Sequence, residues 1–238
     1  PLTSTGTVLF RMTGEYGSAD SFVDVIETQD YAINPTLTLD NKQGTRLTLQ
    51  GRATKWSGTE YQGLPATGTV AGSFRIDPDL FIGPSNVPDS VSELQSLTAT
   101  LDHQFSQALD GSVKVRWRQS ELAEFAQSMV GADGLQANTP LIGPSTWALI
   151  NGMLTQEQDE LAVAAHLRAK LAALGARHTL VVGGDHARID DEVLLLAEAG
   201  PGFVDLDTPI FSAPYVIPSR NALTTFSDTT ATYVTEGL

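Results

Sequence analysis

Gly183-Gly184-Asp185-His186 follows the apolar run ending at Val182 and sets a carboxylate beside an imidazole. Such a pair could ligate a divalent metal, with Asp191 and Asp207 as further ligands, and the chemistry would be metal-assisted hydrolysis. A two-metal site needs several carboxylates and imidazoles around ions about 3.5–4 Å apart. No histidine follows His186, and His103, His166 and His178 show neither HxxxH nor HExxH spacing. Asp185 and His186 therefore read as a strand end entering a loop, with no dedicated metal site and no cofactor expected. No GxSxG, Walker A or GxGxxG sequence stands between a strand and a helix, so neither a nucleophile elbow nor a phosphate cradle is indicated. The chain does not read as an enzyme.

Residues suited to holding a ligand fall elsewhere. Trp56 closes a strand-like segment on its polar parity, Tyr61 lies in the loop that follows, and Arg52 and Arg118 sit on polar faces with Arg46, Lys114 and Arg116. Trp56 and Tyr61 could stack on or hydrogen-bond to a ligand. The arginines are expected to pair with nearby carboxylates, and Arg52 and Arg118 are the ones placed to meet an anionic ligand. The acidic stretches 156–160 and 190–192 read as solvated strand tops or loops.

Composition narrows the partners. Among 238 residues, 14 Lys and Arg face 28 Asp and Glu, a formal net charge of -14. Phosphate neutralisation requires the opposite balance, so a nucleic-acid partner is not expected. The absence of cysteine removes disulfides and thiolate metal sites. Pro1 to Thr5 carry neither a basic nor an apolar export region, so any export signal is expected to have been removed or to lie upstream. No apolar run reaches the roughly 18 residues of a membrane-spanning helix, whereas a barrel strand needs only ~9–11 alternating residues.

The elements that would position these residues alternate with period two. Val8, Phe10, Met12, Gly14 and Tyr16 share one face. Tyr31, Ile33, Leu37 and Leu39 follow, then a tight connection at 40–44, then Leu47, Leu49, Gly51 and Ala53 against Arg46, Thr48, Gln50 and Arg52. Strand character returns at Leu97, Ala99 and Leu101, turns near Asp110-Gly111, and resumes with Val113, Val115 and Trp117. Segment 155–178 carries helix signals, with acidic residues first, basic residues last and Gly175 as a stop. It also alternates, Leu161, Val163, Leu167 and Leu171 against His166, Arg168 and Lys170, and we read it as a strand. A further strand spans 178–189, and a last polar one begins near Thr224.

Connections alternate in length: short at 40–44, 106–111 and 172–176, long at 17–29, 57–91, 125–146 and 190–223. Antiparallel strands would gather all long loops at one end, as in an outer-membrane barrel with short periplasmic turns and long extracellular loops. A soluble β-sandwich also alternates, and loop asymmetry favours the barrel. Tyr16 and Tyr31 at the long-loop end and Phe105 at the short-turn end match aromatic girdles. The fold class expected is all-β: an antiparallel transmembrane barrel segment of about eight long strands, occupying residues 1–238 as one partial domain.

Several phrases, in order, resemble the TonB-dependent siderophore receptor family. They are Leu9-Phe10-Arg11-Met12-Thr13-Gly14-Glu15-Tyr16, then residues 31–39 with their Asn34-Pro35, and Thr45 to Gly51 with Gly63-Leu64-Pro65-Ala66. Residues 97–105, His178 to Asp185 and Val204 to Tyr215 continue the series. The resemblance implies a barrel of roughly 22 strands with a plugged lumen, of which this chain supplies about the third to tenth strands, without plug or closing strand. It further implies import of a ferric siderophore across the outer membrane, with TonB engaged through the plug and lipid around the barrel. Two other readings remain: a soluble β-rich ligand-binding module, and an arginase-like metal hydrolase, whose metal-binding segment Gly183-Gly184-Asp185-His186 resembles.

Overall fold

The computed structural model describes residues 1–173, 175–211, 213–219 and 225–237. Eight strands form one sheet in the order of the chain: β1 Val8–Asp20, β2 Glu27–Asp40, β3 Thr45–Gly58, β4 Ser90–Gln104, β5 Leu109–Val130, β6 Thr146–Ala173, β7 Ala176–Asp205 and β8 Thr225–Gly237. Each neighbouring pair is antiparallel, and β1 and β8 are the two edges, so this sheet is open. Connections 41–44 and 105–108 and Gly175 lie at one end; 21–26, 59–89, 131–145 and the described residues that follow Asp205 lie at the other.

The short-long alternation expected from the sequence is thus present, with corrected boundaries. The first long-end connection is only 21–26, because Ser18, Ala19 and Asp20 pair with Gln29, Thr28 and Glu27. β4 starts at Ser90, and β5 continues past Phe125 to Val130 against β6. β7 runs on through the acidic residues 190–192 to Asp205, which the sequence reading had placed in a loop. Ladder pairing overrides the turn-like composition of these segments. Part of the loop expected at 190–223, and Thr224 itself, lie outside the described residues.

Segment 155–173 is strand, pairing with β5 or β7 to the end of β6 at Ala173, and residues 176–178 open β7. Its helix signals are local, whereas a ladder on both sides satisfies every backbone group.

Pairing carries each residue row across the sheet. Phe10, Leu37, Leu49, Ala99, Val115 and Val163 form one row; Val8, Leu39, Leu47, Leu101, Val113 and Ala165 form the next. This face stays exposed in the short-turn half, with Leu97 52% and Val182 63% exposed. Toward the long loops it turns acidic: Lys55, Glu93, Glu121, Glu157 and Glu192 are successive partners in one row. Directly opposed like charges destabilise a sheet; Lys55, at 2.7 Å from Glu93, offsets part of this charge, and Gln119 donates a long hydrogen bond to Glu121. The row marks where the apolar band ends.

Beyond it lies the core. Phe74, Ile76 and Ile82 from loop 59–89 and Ala137 from loop 131–145 pack with Met129, Trp147, Leu149, Val204 and Leu206. Trp147 is fully buried, and its indole N–H donates to Ala137 O at 2.9 Å. Side chains lace the loops together. Asn86 accepts from Tyr215 N–H and donates to Tyr215 O, at 2.9 and 3.1 Å. Gln62 accepts from Met129 N–H at 2.7 Å and donates to Met129 O at 3.2 Å. β5 has outrun β4 there, so one amide side chain stands in for a missing strand.

Candidate functional site

The second face of the sheet is polar, and the sequence-predicted residues lie on or beside it. Arg52 pairs with Ser96, and Ser96 with Arg118, so both arginines occupy one row, two strand spacings or about 10 Å apart at the backbone. Arg118 is partly engaged: Glu160, buried on β6, lies 4.0 Å from its Nη1 and accepts from Arg116 Nε at 3.1 Å. The pairing with neighbouring carboxylates expected of these arginines holds for Arg46 with Asp40, for Arg116 with Glu160 and, more loosely, for Arg118. Arg52 is exposed. Trp56, half-buried, stands two rows further toward the loops opposite Asp30 and Ser92.

Three hollows follow this face. Nearest the short turns, one of about 480 Å³ is lined by polar residues that include Asp40, Arg46, Asp102, Asp110 and Arg168. Its ion pairs are already made, Arg46 to Asp40 at 2.9 Å and Arg168 to Asp110 at 3.0 Å. Midway, one of about 310 Å³ is bounded by Ser92, Arg118, Ser120, Gln156 and Gln158. At the loop end, one of about 380 Å³ lies between residues 60–62 and the upper part of β5–β7. Hollows two and three hold hydrogen-bonding groups on rigid strands, the arrangement a small-molecule site uses.

Tyr61 borders the third hollow, but much of it is committed to the loop. Its hydroxyl donates to Leu80 O at 3.0 Å, and its ring stacks on Phe81 with centroids 5.7 Å apart. Burial raises its hydroxyl pKa. Tyr215 is tied more firmly: it donates to Gly152 O at 2.7 Å, and burial pushes its pKa up to about 12. Glu60, Gln62 and Glu124 were missed by sequence reasoning. Desolvation, then the neighbouring Glu124 carboxylate, raises the Glu60 carboxyl above its ordinary range, while a Ser90 hydrogen bond opposes the shift. Placing Glu124 required knowing that it stands opposite Leu154 of β6 and beside Glu60 of the preceding loop.

Asp185 and His186 are consecutive in β7 and so point to opposite faces. His186 Nδ1 lies 3.3 Å from Glu236 of β8, so the two side chains cannot converge on one ion. Among the described residues no group of three or more His, Asp or Glu is placed to hold a metal, and no helix is long and apolar enough to cross a membrane. The latter does not bear on crossing by strands.

No protein-family model and no curated protein matches the chain. Solved structures do. The ferripyoverdine receptor of the outer membrane of Pseudomonas aeruginosa, bound to ferripyoverdine, aligns with a TM-score of 0.75 at 17% identity over 98% of this chain and 30% of its own. The ferric-catecholate import receptor Fiu from E. coli K12 gives 0.73 at 14% identity, over 97% and 34%. The siderophore receptor PiuA from Acinetobacter baumannii gives 0.70 at 12%, over 96% and 34%. The fold is therefore a section of an outer-membrane receptor β-barrel. More particularly, it is the barrel fold of siderophore receptors, of whose length the chain spans about a third, as the sequence resemblance implied.

Proposed function

We propose that the chain is part of the wall of an outer-membrane receptor that binds a ferric siderophore and imports it with energy relayed by TonB. The observation that carries this reading is the likeness, over nearly the whole chain, to three siderophore receptors with TM-scores of 0.70–0.75. The physical layout supports it. Apolar rows on one face suit lipid; Arg52, Trp56 and Arg118 on the other suit a lumen wall below long extracellular loops. The siderophore would meet Arg52, Trp56, Tyr61 and Arg118, and a plug carried outside this chain would couple to TonB. Catalysis has no part in this reading.

The soluble-module alternative meets a physical obstacle. A sandwich buries one face of each sheet, whereas here both faces of the short-turn half are bare, with contiguous exposed leucines and valines. Such a surface in water would aggregate. Two measurements test the proposal. The chain should fold to high strand content only in detergent or lipid; a folded monomer in buffer alone would refute the membrane reading. With its flanking sequence, in cells lacking other receptors, it should bind iron-loaded siderophore, and Arg52→Ala with Trp56→Ala should lower affinity at least tenfold. Unchanged affinity would remove these residues from the site.

A further inference from the structure

The hollow at the loop end has an unusual lining for a chain of this kind. From loop 59–89 it takes Glu60, Tyr61 and Gln62, from β5 Glu124, Ala126, Gln127 and Ser128, and from β6 and β7 Gly152, Met153, Leu154 and Leu195, with Leu135 above; Gln127 is buried and its Oε1 has no hydrogen-bond partner among the described residues. Two carboxylates thus share a hollow whose remaining walls are largely aliphatic. No Lys, Arg or His lines it, so the pair has no cationic partner there. Its volume of about 380 Å³ falls within the range of small-ligand sites, roughly 300–1,000 Å³.

We propose that this cleft takes a primary ammonium group carried on a short apolar arm. Charge calls for a cation, and the walls decide which kind. A hard divalent ion wants about six to eight oxygens converging on it; here only two carboxylates are present, Gln62 Oε1 already accepts from Met129 N–H, and among the described residues no group of three or more His, Asp or Glu is placed to hold a metal. An alkylammonium fits both features: its head reaches the carboxylates and its methylenes lie along Leu135, Met153, Leu154 and Leu195. Resting on the receptor reading, this places the arm on the imported chelate and makes the favoured cargo a ferric siderophore with a free amine. Trianionic chelates without one are disfavoured, because the same carboxylates repel them.

The test uses the 238-residue chain folded in detergent micelles, with n-hexylammonium and its neutral N-acetyl counterpart as probes, read by saturation-transfer NMR at pH 7. The ammonium form should bind at least tenfold more tightly. Glu60→Gln with Glu124→Gln should erase that preference while strand content by circular dichroism stays unchanged; Glu124→Asp should retain part of it. Equal binding of the two probes, or a preference that survives the double substitution, overturns the cleft assignment. A second arm compares the gallium complex of a trihydroxamate bearing a free amine with its N-acetylated form. A preference for hexylammonium, with no iron-loaded siderophore bound by the protein carrying its flanking sequence, would sustain the cleft and refute the receptor reading.

Discussion

The two halves of the sheet solve opposite problems with the same strands. Among the described residues nothing covers either face of the short-turn half, and the apolar rows through Leu47, Leu101, Val113 and Ala165 touch only their neighbours in the sheet. In the long-loop half the continuation of that same face is roofed by loops and contains the fully buried Trp147 and Val204. The changeover coincides with the glutamate row from Glu93 to Glu192. The difference teaches that the surrounding medium sets what a strand must carry. Where lipid supplies the apolar contact, plain alternation suffices; where water returns, the protein must build its own core from loop residues.

Substitutions that trade the two environments break the comparison most sharply. Trp147→Ala should cost about 3–5 kcal/mol in the loop half, from lost burial and the cavity left. Limited proteolysis should then cut 59–89 and 131–145 first, with strand content retained; simultaneous loss of the whole sheet would mean the halves are not separable. Leu101→Arg should cost up to ~2–4 kcal/mol of folding free energy in lipid vesicles, with little effect in the cleft assay. If folding in vesicles is unchanged, the apolar rows do not face lipid.

Gln62→Ala should cost about 1–3 kcal/mol locally, because Met129 N–H and O lose their partner at the edge of β5. Amide exchange at Met129 should quicken while exchange in β3 stays as it was. The smallest effect concerns Glu60. Its raised pKa means the folded cleft holds its proton to higher pH than the unfolded chain, so stability falls slightly as pH rises through that range. Glu60→Gln should therefore leave stability unchanged or slightly higher. Conversely, hexylammonium binding should weaken as pH falls through the same range. The titratable groups lining the cleft are Glu60 and Tyr61 from the loop and Glu124 from β5; the residues of β6 and β7 there do not titrate.

Legibility in the sequence followed the same divide. In the short-turn half, alternation placed Leu37, Leu49, Leu97 and Val115 on one face correctly, because nothing but pairing acts there. Segment 155–178 was decided for strand only by weighing alternation against strong helix signals, and the ladder with β5 and β7 settled it. In the long-loop half, β5 after Phe125 and β7 after Ile189 were misjudged as loop. Their polar and acidic residues pair with neighbours already above the apolar band, where no alternation is required. The polar-face positions of Arg52, Trp56 and Arg118 were legible from parity alone. Glu124 and Gln62 were not, since their roles depend on how far one strand outruns the next.

That outrunning shapes the long-loop edge of the sheet. Thr28, Gly58, Ser90 and, in the same ladder, Leu154 and Leu195 lie near where β2, β3 and β4 finish, yet β7 continues to Asp205. At roughly 3.3 Å per residue, the extra stretch adds about 30 Å of wall. The first strands give the sheet a low edge and β6 and β7 a tall one, with the Glu60–Glu124 cleft at the point where low and tall edges meet. On the proposed function, a ligand would approach over the low edge and meet the cleft before the tall strands.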